Sequence, residues 1–236
     1  MPKNKIKNKI LDFLFPLECL GCGQENLWFC HECFRKLELL PSQRCLFCEA
    51  ENLSGHTCAN CRQNHYLDGI FSAGNYGQKE LSLLIRHFKY SLINELAETL
   101  SDFLTLALKA YLKENGQNIF NSNNYLLPIP LHPKREKWRG FNQSEIIASH
   151  LAKKFGWEKI SCLKKIKNSK PQAKLNESKR LNNLNNCFCL SGDDPAGKKI
   201  ILVDDVATTG ATLEEAARIL KKAGAKSVWG LTIARG

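Results

Sequence analysis

From Tyr66 onward the chain alternates short apolar runs with stretches whose apolar residues recur at helical spacing. The runs GIFSAGNY, NYLLPIPLH, CFCLS, KKIILVDDV and SVWGLTIA read as strands, and the periodic stretches place helices at 78–89, 92–114, 142–155 and 212–223. Alternation of this kind predicts a doubly wound, mostly parallel sheet with helices on both faces. The basic, Asn-rich segment 166–186 breaks the pattern and reads as a mobile loop inside that α/β body. Before Tyr66 neither period is sustained, and cysteine organises the chain instead. The expected boundary therefore lies near residue 65, with a head over 1–65 and the α/β body over 66–236.

Eight of the eleven cysteines stand in the head as four C-x-x-C pairs, Cys19/Cys22, Cys30/Cys33, Cys45/Cys48 and Cys58/Cys61. Two sulfurs at this spacing ligate one tetrahedral ion from a tight turn, and two such turns complete a four-thiolate site. Four pairs therefore predict two zinc ions. Sequential pairing gives a double zinc ribbon, whereas a cross-brace joins the first pair to the third and the second to the fourth. Spacing permits both, but linkers of seven and nine residues suit a short ribbon hairpin and favour the sequential arrangement. Four thiolates leave no open position for water, so the expected role is structural. His31, His56 and His65 read as ordinary surface or neighbouring histidines, and Cys162, Cys187 and Cys189 as small core residues.

Charge changes the picture more than overall composition does. The net charge is +11, and residues 132–186 hold nearly all of the excess, fourteen Lys and Arg against four Asp and Glu. A positive field this concentrated expects a polyanion, the phosphates of a nucleotide or of nucleic acid. The plainer alternative is a solvated lysine-rich loop. Zinc thiolates would lower the total to about +7 and leave the head acidic. The head then reads as a staple for the N-terminus or a protein-contact surface. No run approaches the roughly 18 apolar residues that cross a bilayer. The opening MPKNKIKNKILDFLFPLE imitates a signal peptide, but Asp12 interrupts its short apolar run and no small-residue cleavage site follows. The expectation is a cytoplasmic protein with no membrane insertion and no disulfides.

The most informative run is IILVDDVATTGAT, Ile200 to Thr212. Four apolar residues form a buried strand that delivers Asp204 and Asp205 at its carboxyl end, where ligands bind in this architecture. Val206, Ala207, Thr208, Thr209, Gly210, Ala211 and Thr212 then lead into an amphipathic helix. Small residues let backbone N–H groups approach a phosphate, the threonines add donors, and the helix N-terminus favours an anion. The adjacent carboxylates suit ribose hydroxyls and a hydrated Mg²⁺. A Walker B strand has the same texture but needs a Walker A loop. The nearest candidate, GDDPAGKK at Gly192 to Lys199, has Lys199 where Ser or Thr belongs and precedes a strand rather than a helix. The run resembles the 5-phosphoribosyl-1-pyrophosphate (PRPP) signature of type I phosphoribosyltransferases at every defining position, which implies that fold and Asp204 and Asp205 as its catalytic acids.

A second motif, PIPLHPKREKWRGFNQ from Pro128 to Gln143, places Leu131, His132, Lys134 and Arg135 just past a strand end, where a pyrophosphate loop belongs. Arg139, Asn142 and Gln143 enter the next helix with further donors. Trp138 and Phe141 interleave with these basic residues, a pattern suited to stacking single-stranded bases or, equally, to packing on the sheet. With the C-x-x-C head, this motif resembles the ComF family of competence-associated phosphoribosyltransferase-like proteins. The loop PQAKLNESKRLNNLNNCF extends the likeness at Gln172, Leu175, Arg180, Asn183, Leu184 and Phe188. It departs from the family at Asn176 and Glu177, where an arginine is usual and Lys174 and Lys179 stand nearby. Lys170, Gln172 and Arg180 would let this loop close over reactants. The resemblance implies a protein that binds PRPP with Mg²⁺ and handles single-stranded DNA during natural transformation. Two alternatives stay open: a phosphoribosyltransferase moving ribose 5-phosphate to a nucleobase or other amine, and an adaptor whose zinc head docks a helicase-like partner.

Overall fold

The computed structural model describes residues 17–51, 54–90, 93–116, 119–121, 123–167 and 186–236. Among the described residues the head contributes two short helices, α1 (His31–Arg35) and α2 (Ala59–Arg62). The body then runs β1 (Gly69–Asn75), α3 (Lys79–Tyr90), α4 (Asn94–Asn115), β2 (Asn124–Pro128), α5 (Pro133–Arg139), α6 (Gln143–Phe155) and β3 (Glu158–Lys159). It continues through β4 (Leu163–Lys165), β5 (Phe188–Leu190), β6 (Lys199–Ala207), α7 (Ala211–Lys222) and β7 (Ser227–Arg235). Five strands pair in parallel in the order β1-β7-β6-β2-β3, while β4 and β5 form a separate antiparallel pair.

β6 is apolar from Ile200 to Val203 because both of its faces are covered there. Ile201 and Val203 point into a core built with α3, α4 and α6. Ile200 and Leu202 point the other way, into a core shared with Ala211, Leu213 and Leu220 of α7 and with Leu163 and Phe188 of the antiparallel pair. Leu202 is fully buried, so its truncation to Ala would cost about 2–5 kcal/mol. The four expected helices are present, with ends shifted by one or two residues.

The sequence reading missed β3, β4 and α5, each for a physical reason. β3 is two exposed residues at a sheet edge, and β4 is only three residues, two of them lysines. α5 buries none of its residues, so no apolar stripe marks it. Its ends define it instead. Pro133 opens its first turn, His132 Nδ1 accepts from the Lys134 N–H at 3.2 Å, and Gly140 closes it in the left-handed conformation.

The head packs onto the body. Leu37 belongs to the larger core, Phe34 meets Phe103 edge to face at 6.5 Å, and the Leu40 N–H donates to the Ala73 carbonyl. Gln43 exchanges hydrogen bonds with the Ser72 backbone in both directions. Cys162 and Cys187 are buried and Cys189 is half-buried. Among the described residues no helix is long and apolar enough to cross a membrane.

Candidate functional site

β6 carries Asp204 and Asp205 to the carboxyl edge of the sheet, and neither faces a purely apolar interior. Asp204 Oδ1 accepts from Ser144 Oγ at 3.0 Å and from the Asp205 N–H at 2.9 Å. Asp205, 7 % exposed, pairs with Lys89 Nζ at 3.1 Å. Burial and the neighbouring Asp205 charge push the Asp204 carboxyl up to about 6. Burial pulls the Lys89 ammonium down, but the Asp205 carboxylate beside it more than offsets this and raises it. The acids therefore hold more negative charge than Lys89 alone neutralises, and their oxygens are the hard donors Mg²⁺ prefers.

Beyond Asp205 the chain runs through Ala207, Thr208 and Thr209 to Gly210, the N-cap of α7, at φ +71°. Glycine tolerates this left-handed conformation, and having no side chain it offers no acceptor to the first-turn N–H groups.

The second motif surrounds the same edge. Asn142 caps α6, its Oδ1 accepting from the Ser144 N–H, while its Nδ2 donates to the Ile129 carbonyl at 3.1 Å. Its polar atoms are engaged in joining α6 to the end of β2. Gln143, only 2 % exposed, leaves Nε2 without a partner. Arg139 Nε and Thr209 Oγ1 are likewise buried and unpaired. Burial lowers the Arg139 guanidinium from its usual range against the pull of Asp205. Buried polar atoms ordinarily find partners, and three that lack one stand on the elements that meet at Asp204 and Asp205.

The two aromatic residues of the motif part company. Phe141 packs on Phe88 at 5.6 Å, whereas Trp138 is 71 % exposed. Trp138 meets Tyr90, itself 68 % exposed, edge to face at 6.1 Å, and the Arg139 guanidinium lies 5.8 Å from the Tyr90 ring centre. Lys134, Lys137 and Arg139 line the same short helix, with Leu131, His132 and Arg135 at its start. Gln172 and Arg180, with Lys170, lie outside the described residues.

The sequence reading missed three groups. Ser144 directly follows the RGFNQ motif and was within reach of it. Lys89 comes from a helix more than a hundred residues before its acid, with no local signal. Lys165 is a buried lysine on β4, 5.2 Å from the Phe188 ring centre, and burial lowers its ammonium.

The cysteines gather in sequence, Cys19, Cys22, Cys30 and Cys33 in one cluster and Cys45, Cys48, Cys58 and Cys61 in the other. In each cluster the sulfurs lie within 4.8 Å of one another. Cys22 and Cys30 Sγ are 3.7 Å apart, and Cys48 and Cys58 Sγ are 3.5 Å apart. N–H groups of Cys30 and Cys33 point at Cys19 and Cys30 Sγ, each at 3.3 Å, and orient these sulfurs. Burial pushes the Cys61 thiol up to about 12. Burial acts the same way on Cys45, but backbone N–H groups outweigh it and bring that thiol down to about 6. Four sulfurs that ionise together only around a cation fit a tetrahedral zinc site. His31, His56 and His65 stand outside both clusters.

Residues 142–235 match the phosphoribosyl transferase domain family, and the parallel sheet carrying the β6 acids is the type I fold of those enzymes. Over 232 residues the chain is 30% identical to the competence protein F of Haemophilus influenzae, covering 92% of this chain and 97% of that protein. It is 31% identical over 241 residues to the competence protein ComFC of Bacillus subtilis, covering 93% and 95%. It is 32% identical over 151 residues to the DNA utilization protein YhgH of Escherichia coli O157:H7, covering 63% and 64%. Likeness that runs through the cysteine head and the phosphoribosyl transferase domain together settles the relationship: the chain belongs to the ComF family of competence-associated, phosphoribosyltransferase-like proteins.

Proposed function

We propose that this protein serves DNA uptake in natural competence by binding PRPP with Mg²⁺ at the end of β6 and holding single-stranded DNA on the adjoining α5 surface. The observation that carries the reading is the set of orphaned buried atoms, Arg139 Nε, Gln143 Nε2 and Thr209 Oγ1, on the elements that meet at a pair of acids. A sugar pyrophosphate supplies oxygen acceptors to those donors, and its metal supplies positive charge to Asp204 and Asp205. Asp204 and Asp205 take the ribose hydroxyls and the metal side. The loop from Val206 to Thr212 takes the 5-phosphate, and His132, Lys134 and Arg135 take the pyrophosphate. Zinc in the two cysteine clusters is structural, with the head as a staple for the chain before Tyr66.

The DNA arm of the reading rests on Trp138 and Tyr90, two exposed rings beside Lys134, Lys137 and Arg139. Rings and cations alternating at this spacing offer a base a face to stack on and a phosphate a partner. Calorimetric titration with PRPP and Mg²⁺ tests the first arm, and the heat should vanish in Asp204→Asn/Asp205→Asn. Fluorescence anisotropy with a labelled single strand tests the second, and affinity should fall steeply as salt rises. Absence of PRPP binding in the wild type, or DNA binding indifferent to salt, removes the corresponding arm.

One feature favours turnover as a second reading. Lys165 is a buried cation with no hydrogen bond or ion pair among the described residues, on a strand pair packed over the α7 side of the sheet. Burial lowers its ammonium against the pull of Cys187 and Asp204, and in this reading an acceptor's carbonyl or anionic group is its partner. Pyrophosphate release that requires a nucleobase or amine, and is lost in Asp204→Asn/Asp205→Asn, would establish transfer.

A further inference from the structure

We propose that Leu46, carried between Cys45 and Cys48 of the second cysteine cluster, is a positioning residue for the phosphate loop, and that metal in that cluster fixes the loop through it. The inference rests on the reading of Val206 to Thr212 as the loop that binds the PRPP phosphate.

Leu46 is 6 % exposed and shares a core with Ala207, Ala211 and Leu213. Its isobutyl group fills the space a side chain at position 210 would need. A Cβ on Gly210 would lie 2.3 Å from Leu46 Cδ2 and 2.8 Å from Cγ. Gly210 is thus required twice, by its backbone conformation and by this leucine pressed against it.

The turn that carries Leu46 is tied to both sides of the loop. On one side the Arg235 guanidinium donates to the Arg44 carbonyl at 2.9 Å and the Cys45 carbonyl at 3.0 Å, and it pairs with Glu49. Arg235 is the register partner of Ala207, where the loop begins. On the other side Phe47 stacks on His65 at 3.4 Å. His65 lies 3.5 Å from Glu214, whose carboxylate also accepts from the Tyr66 and Leu67 N–H groups. Head residues therefore reach the segment from Ala207 to Glu214 directly at Gly210 and at Glu214, and its entry through Arg235.

After Val206 the loop has little of its own to hold it, being composed of alanine, threonine and glycine. Leu46 replaces the packing those side chains lack. Metal drawing Cys45 and Cys48 to one centre with Cys58 and Cys61 would hold the turn that carries the leucine at both of its cysteines. Without metal that turn keeps the Arg235 and His65 contacts but loses its hold at the cysteines, so a ligand must order more of the loop as it binds, which weakens affinity. The first cluster packs with Leu27 and Phe29 instead, so its opening should leave the loop undisturbed.

The test measures zinc content, amide exchange over residues 207–214 and the PRPP·Mg²⁺ dissociation constant in the full chain. In Leu46→Ala, zinc content should be unchanged, exchange in this segment faster, and PRPP binding weaker by about tenfold, the effect of a few residues ordered on binding. Leu46→Met should restore both properties. Cys48→Ser should reproduce the Leu46→Ala effect on exchange, while Cys22→Ser should not. Leu46→Ala or Cys48→Ser with wild-type loop exchange overturns the proposal, as does Cys22→Ser with an equal acceleration. Faster exchange in Leu46→Ala, in a protein whose wild type binds no PRPP, upholds the contact and refutes the phosphate reading on which it rests.

Discussion

Asp204→Asn should make the protein more stable, and by an amount that depends on pH. The native carboxyl titrates at about 6, against an ordinary value of 3.8, because burial and the Asp205 charge oppose its ionisation. A carboxyl with a raised native pKa favours the folded state fully only below its unfolded value, and that contribution is lost as pH rises through the native one. Roughly two pKa units correspond to about 3 kcal/mol withheld from the wild type above pH 7, and about half that at pH 5. Asparagine removes the charge and keeps an oxygen at Oδ1, where Ser144 Oγ and the Asp205 N–H donate. The variant should then melt about 6–12 °C above the wild type at pH 7.5, with the gain halving by pH 5. Thermal unfolding of the zinc-loaded proteins at several pH values in that interval measures it. A variant no more stable than the wild type at pH 7.5, or a gain that does not change with pH, would refute the assignment of a strained acid.

Other perturbations probe the neighbours. Lys89→Met leaves Asp205 buried without its ion-pair partner and should cost about 3 kcal/mol, most of it recovered in Lys89→Met/Asp205→Asn when denaturant midpoints are compared. Trp138→Ala removes an exposed ring, so its melting temperature should hold while single-strand affinity falls by about 1–3 kcal/mol in anisotropy titrations with unaltered salt slope. Asn142→Ala removes the α6 cap and the tie to Ile129, and should lower stability by about 1–2 kcal/mol in chemical unfolding.

How far the sequence reaches depends on whether a feature is local. The β6 strand and its acids were legible because a stretch covered on both faces, Ile200 to Val203, must be apolar, and because loop, acids and helix start are contiguous. The cysteine clusters were legible for the same reason, each being two tight turns joined by a short linker. Lys89, Leu46 and Tyr90 were not, since each acts through a contact created only when distant elements dock. Leu46 in sequence is one more apolar residue between two cysteines, and nothing local ties it to Gly210. The motif around Trp138 and Phe141 shows the limit of composition: two aromatic residues three apart read alike, yet the cap at Gly140 turns the chain so that one ring joins the core and the other meets solvent.

The site is unsatisfied in two opposite senses, and this constrains what binds there. Asp204 and Asp205 carry an excess of negative charge that raises the Asp204 pKa, so they gain from a cation. Arg139 Nε, Gln143 Nε2 and Thr209 Oγ1 are buried donors without acceptors, so they gain from oxygens. A free cation answers only the first need, and an unchelated anion answers the second while adding to the repulsion felt by the acids. A metal chelated by a pyrophosphate answers both together. PRPP and Mg²⁺ should therefore bind with positive linkage, each raising the affinity of the other by the same factor. Titrations of PRPP with and without Mg²⁺ read that factor directly. Asp204→Asn should shrink it, because the variant keeps the donors for the phosphates and loses half of the charge that calls for the metal. Equal PRPP affinity with and without Mg²⁺ in the wild type would mean that the acids take no part in holding the ligand.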